Sequence, residues 1–223
     1  GDMLAGLERL KNLRDINSHQ IGLWGSSQGG WIVGLAASRS KDVTFIISVS
    51  GPGITPEEQG AYCVQQWMKA AGYAKADVNE ARSLYLLNSR YQRSGRNTNE
   101  VEAAHKADRN KSWYNACPYL GNDFSGVSKQ WQLIWNYDPI PALRTVHCPV
   151  LAIFGGSDPF VPAQKSADIW KTALAEAGNH DATIEIFPHA NHGIADVRTW
   201  SGVPDFFALQ RDWLLQHVTV GSF

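Results

Sequence analysis

Between residues 19 and 50 the chain runs from the short apolar stretch HQIGLW through the tight segment GSSQGG into GGWIVGLAAS, and then out into VTFIISVS. HQIGLW and VTFIISVS read as strands, the second being a continuous apolar run of the kind buried on both faces of a sheet. GGWIVGLAAS has the length of a helix and the small faces that let one pack closely on that sheet. Upstream, Leu4, Leu7, Leu10 and Leu13 recur at helical spacing, so MLAGLERLKNL predicts an amphipathic helix with Glu8, Arg9 and Lys11 turned to water. Helix, strand, helix, strand is the repeat of a parallel α/β sheet.

The same rhythm returns at the far end. PVLAIFGG reads as a buried strand, AQKSADIWKTALAEAG as a helix with glycine past its end, ATIEIFP as a strand, and PDFFALQRDWLLQHV as a closing amphipathic helix. Strand signals vanish in between, where Trp67, Trp113, Trp131 and Trp135 stand among polar helical stretches. Asp77 with Glu80 and Asn99 with Glu102 have capping-box spacing and predict two helix starts, and YQRSGRNTN reads as a polar loop. The resulting organisation is an α/β domain made of residues 1–53 and 146–223, interrupted by an all-helical cap of about four helices over residues 54–145. The cap tryptophans either fill its core or line a pocket.

A chain of 223 residues suffices for one sizeable core plus such an inserted subdomain. Its 20 basic and 21 acidic residues create no field that would hold nucleic acid or an anionic membrane, so the partner expected is a small molecule. No apolar run approaches the roughly 20 residues that span a bilayer. Cys63, Cys117 and Cys148 are too scattered for a disulfide framework or a zinc site, and read as buried thiols. His19, His105, His147, His180 and His217 lack partners at metal-ligand spacing, and no dinucleotide or phosphate-loop pattern occurs, so neither metal nor cofactor is expected.

The chemistry concentrates in three loops. Gly25-Ser26-Ser27-Gln28-Gly29 fits G-x-S-x-G, set between a predicted strand and a predicted helix. At such a turn the glycines two before and two after the serine let strand and helix approach, and the helix N-terminus faces the hydroxyl. The backbone N–H of Gln28 is then a candidate oxyanion donor. A turn of this composition also serves plain close packing. A serine nucleophile needs a base and an orienting acid. Asp158, in FGGSDPFVP after one strand, is the candidate acid, although Asp before Pro is also an ordinary turn starter. FPHANHGI, after the next strand, offers His192 as the candidate base. His189, immediately after strand and proline, shapes the site or faces water.

With GSSQGGW as elbow, GGSDPFVP as acid loop and ANHG as histidine loop, in that order, the chain resembles the α/β-hydrolase superfamily, most closely its esterase and prolyl-oligopeptidase-like branch. The resemblance implies a mostly parallel sheet flanked by helices, carrying a helical cap inserted after the strand that follows the elbow. It also implies a serine hydrolase with Ser27, His192 and Asp158 as its triad and a small to medium carboxylic ester as substrate. Aminopeptidase-like, thioesterase or acyl-transfer activity on the same triad, and a non-catalytic ligand-binding module, are the alternatives. Members of the superfamily carry several strands ahead of the elbow, one of whose loops gives a second oxyanion donor. Here one helix precedes it, so the resemblance implies the C-terminal part of a catalytic domain, with the first strands absent or supplied by an N-terminal fragment or a second chain.

Overall fold

The computed structural model describes residues 1–120 and 134–219. Trp131 lies outside them. Two compact units divide the chain: Gly1–Ile54 together with Asp138–Phe223, and Thr55–Tyr137.

The first unit contains α1 (Asp2–Lys11), β1 (Leu23–Ser26), α2 (Gln28–Ala37) and β2 (Ile46–Val49) from its N-terminal part. The second unit supplies α3 (Pro56–Ala70), α4 (Lys75–Ser94) and α5 (Thr98–Asp108). The chain then returns to the first unit with α6 (Ile140–Leu143), β3 (Val150–Gly155), α7 (Ala163–Glu176), β4 (Ala182–Phe187) and α8 (Pro204–His217).

The four strands lie in the order β1-β2-β3-β4, every pair parallel, with Ser26 opposite Val49 and Val49 opposite Ile153. Parallel pairing in this register brings all four C-terminal ends to one edge of the sheet, which is where ligands meet open α/β sheets. Successive side chains of a strand face opposite ways, and the two cores follow from that. Ile46, Val150, Ala152 and Phe154 face one layer with Leu7, Val33, Trp170 and Leu174. Ile47, Val49, Leu151 and Ile153 face the other with Ala190, Ile194 and Trp213 of α8. All six residues of β3 are buried, which explains why its sequence is a continuous apolar run rather than an alternating one.

In the second unit, Val64 and Met68 of α3 pack with Val78, Ala81 and Leu84 of α4 around Trp113, which is fully buried. Trp113 is therefore core, and Trp67 stacks on Tyr73 at 6.1 Å.

Local expectations fail in three places. β1 begins at Leu23, because Ile21 contributes only its carbonyl, to Thr44 N–H at 3.0 Å. Neither capping box forms: α4 starts at Lys75, so Asp77 and Glu80 lie inside it, and α5 starts at Thr98 behind a left-handed Asn97, so Asn99 is helical. The side-chain cap that does form is Thr55, whose Oγ1 accepts from Glu58 N–H at 3.3 Å ahead of Pro56. The loop read in YQRSGRNTN shrinks to residues 95–97, because α4 continues to Ser94 and ends on left-handed Gly95.

Candidate active site

β1 delivers Ser27 to the edge of the sheet in a strained backbone. Its φ of 55° and ψ of −121° lie where a residue with a Cβ rarely sits, at a cost of about 1–3 kcal/mol. Two backbone bonds hold it there: Ser27 N–H donates to Val49 O and Gly30 N–H donates to Ser27 O, each at 2.9 Å. The N–H of Gln28, the first residue of α2, donates to no described residue, so a donor stands free beside the hydroxyl. Ser27 Oγ likewise makes no hydrogen bond to a described residue.

The glycines of the turn have unequal roles. A Cβ on Gly25 would stand 2.4 Å from Gly29 O, so strand and helix meet there with no room for a side chain. A Cβ on Gly29 would meet no described atom within 4 Å, which corrects the reading that Gly29 is needed for close approach. Gly30 fills that role, since a Cβ there would lie 2.4 Å from Gly51 Cα and 2.6 Å from Ser48 Oγ.

The loops after β3 and β4 are fastened to each other. Gly156 N–H donates to Phe187 O at 2.8 Å and Ser157 N–H to Ala190 O at 2.9 Å. A Cβ on Gly155 would fall 2.2 Å from Asn191 O, and one on Gly156 would fall 2.6 Å from Pro188 O, so the glycine pair lets the histidine loop lie against the acid loop. Asp158 thereby comes within 2.7 Å of His192, Oδ2 to Nδ1. Its carboxylate is almost wholly buried, with 1% of its side chain exposed, while 24% of the His192 side chain is exposed. Asp158 Oδ1 accepts from Phe160 N–H at 2.7 Å and Val161 N–H at 3.1 Å. An ionised carboxylate only accepts, so Nδ1 is the donor of this bond, and in the neutral imidazole the lone pair then sits on Nε2.

Two residues that the motifs did not point to touch His192. Phe160 packs edge-on to its imidazole, with ring centroids 5.2 Å apart, and Ser50 Oγ donates to its backbone carbonyl at 2.9 Å. The GG pairs at 29–30 and 155–156 were visible signals of close backbone approach. Nothing in the sequence marks Ser50. His189 is exposed, and its backbone carbonyl accepts from Val197 N–H at 2.9 Å. Nearby, the Arg198 guanidinium hydrogen-bonds Asp196 and holds that carboxyl down at about 2.

Among the described residues no group of three or more His, Cys, Asp or Glu could hold a metal ion, and no helix is long and apolar enough to cross a membrane. Cys63 and Cys117 are buried and Cys148 is half-buried, its thiol pushed up to about 11 by burial.

A wholly parallel sheet flanked by helices defines a class of proteins by its fold. The family model for the alpha/beta hydrolase fold matches residues 2–199. The chain belongs to that family. No curated protein matches it. Among solved structures it is similar to DcsB bound to a substrate analogue, at 16% identity and a TM-score of 0.53, covering 98% of this chain and 71% of that one. It is also similar to a putative dienelactone hydrolase from Klebsiella pneumoniae, at 15% identity and a TM-score of 0.53, with 96% of this chain and 59% of that one covered. For acetyl xylan esterase 1 from Thermoanaerobacterium the values are 15% identity, a TM-score of 0.52, and 98% and 52% coverage. The chain thus spans between about half and seven-tenths of the length of these relatives in fold.

Proposed function

We propose that this chain is a serine hydrolase that cleaves small to medium carboxylic esters through an acyl-enzyme, with Ser27 as nucleophile, His192 as base and Asp158 as the acid that orients it. The observation that carries the reading is the Asp158–His192 pair: a buried carboxylate grips Nδ1 at 2.7 Å and leaves Nε2 unclaimed by it, on the sheet edge where Ser27 emerges.

In the first half-reaction Nε2 takes the Ser27 hydroxyl proton as Oγ bonds to the ester carbonyl carbon. The carbonyl π pair moves onto oxygen, where the Gln28 N–H stabilises it. Collapse of this intermediate breaks the carbon–oxygen bond to the leaving alkoxide, which carries off the proton from Nε2. Water then repeats the sequence on the acyl-enzyme and restores Ser27. Throughout, Asp158 remains ionised and offsets the imidazolium charge. The helical unit Thr55–Tyr137 acts in this proposal as the cap.

An ester is the easier acyl donor, since its carbonyl is more electrophilic than an amide's and an alkoxide departs more readily than an unprotonated amide anion. Cleavage next to a free N-terminus would require an unengaged carboxylate to read the ammonium. Among the described residues of the acid and histidine loops, Asp158 is engaged by His192 and two backbone amides, and Asp196 is paired with Arg198. Turnover of p-nitrophenyl esters from acetate to octanoate, beside aminoacyl p-nitroanilides, tests the assignment. Esters should be cleaved with an optimum at short to medium acyl length; faster cleavage of the anilides would replace the ester reading with a peptidase one.

A further inference from the structure

The end of β2 lies between the nucleophile and the base and binds to both. Val49 O accepts the Ser27 N–H at 2.9 Å. The next residue, Ser50, leaves the strand in a left-handed conformation, φ 50°, although it is not glycine. Its N–H still reaches Ile153 O of β3 at 2.7 Å, so the turn is anchored in the sheet. Fully buried, its side chain spans 142 positions of sequence to donate Oγ–H to the His192 carbonyl at 2.9 Å. Two consecutive residues of one strand end therefore hold the backbone of Ser27 and the backbone of His192.

This left-handed position would be relaxed by glycine, yet it holds a serine whose hydroxyl is engaged with the base's own carbonyl. Asp158 fixes the His192 ring through Nδ1 and Phe160 packs against it, but neither holds the backbone that carries the ring. The Ser50 tether holds that backbone and so limits where the ring can stand. We propose that Ser50 is a positioning residue that holds the His192 backbone in place on the sheet edge from which Ser27 emerges; this rests on the hydrolase reading above.

The test uses Ser50→Gly and Ser50→Ala with a p-nitrophenyl ester. Ser50→Gly removes the hydroxyl while relieving the left-handed strain, so it should melt at or above the temperature of the parent. Its kcat should nonetheless fall about ten- to a hundredfold, as misplacement of a reacting group does, with KM within about twofold. Ser50→Ala should lose kcat similarly and melt lower. Loss of activity without loss of stability is not what a merely structural hydroxyl produces. A folded Ser50→Gly variant with parental kcat overturns the proposal. Should the parent itself show no hydrolysis, the hydrolase reading fails separately. The tether is then judged by the Nδ1–H proton resonance of His192 in an isotope-labelled sample. Faster exchange of that proton with water in Ser50→Gly supports the tether, and an unchanged resonance overturns it.

Discussion

The proposed Ser27, Asp158 and His192 stand out in the sequence because acyl-transfer chemistry tolerates few residue types, and because each follows a strand that periodicity reveals. Gly30, Ser50, Gly155 and Gly156 were less so, since each is needed by backbone that arrives from a distant part of the chain. The proposed roles make unequal demands. Ser27→Ala should lower turnover by at least about 10³-fold with an unchanged melting temperature, because the nucleophile is gone while backbone and packing stay. His192→Ala should approach that loss and His189→Ala should stay within about threefold; kinetics in the opposite order would exchange the two histidines. The glycines make a stability pair. Gly25→Ala places a Cβ 2.4 Å from Gly29 O and should cost about 1–3 kcal/mol or more in denaturant melts. Gly29→Ala, with open space around it, should remain within about 0.5 kcal/mol of the parent.

Most elements followed from period and composition, as α2, β3, α7, β4 and α8 did, since each has one face or two faces to bury. Boundaries did not follow, because tertiary packing decided them. Asp77 and Glu80 sit within α4, where Glu80 receives Lys111 instead of capping a helix. α5 carries a buried device that composition hides. His105 Nε2 meets Asn88 Oδ1 at 2.8 Å and its Nδ1 meets Tyr114 Oη at 2.6 Å. Asn88 Nδ2 donates to Leu120 O, which fixes its oxygen toward His105. Nε2 therefore donates and Nδ1 accepts from Tyr114. Burial lowers the His105 value below its ordinary 6.5, against a smaller opposing pull from Asp108. The unfolded chain then binds a proton that the folded chain resists, so stability is fully present above 6.5 and is lost as pH falls from there through the folded value. Thermal melts at pH 7.5 and 5.0 should show this loss, and His105→Gln should show less of it.

At the scale of the whole molecule, one parallel sheet gathers the chemistry by topology alone. The loops that carry Ser27, Ser50, Asp158 and His192 leave the same edge because every strand runs the same way. That arrangement was readable from the helix–strand alternation at the two ends of the chain. The tethers across it were not, since hydrogen bonds between loops leave no periodic trace. The proposed chemistry requires that this edge activate Ser27. The most direct measurement is labelling of the folded protein with a fluorophosphonate, followed by peptide mass spectrometry, because phosphorus is attacked only by a serine with an assisting base and an oxyanion site. A single adduct should form on Ser27, be abolished by Ser27→Ala and be strongly slowed by His192→Ala. A folded protein that takes no label on Ser27, or is labelled equally well without His192, would contradict it.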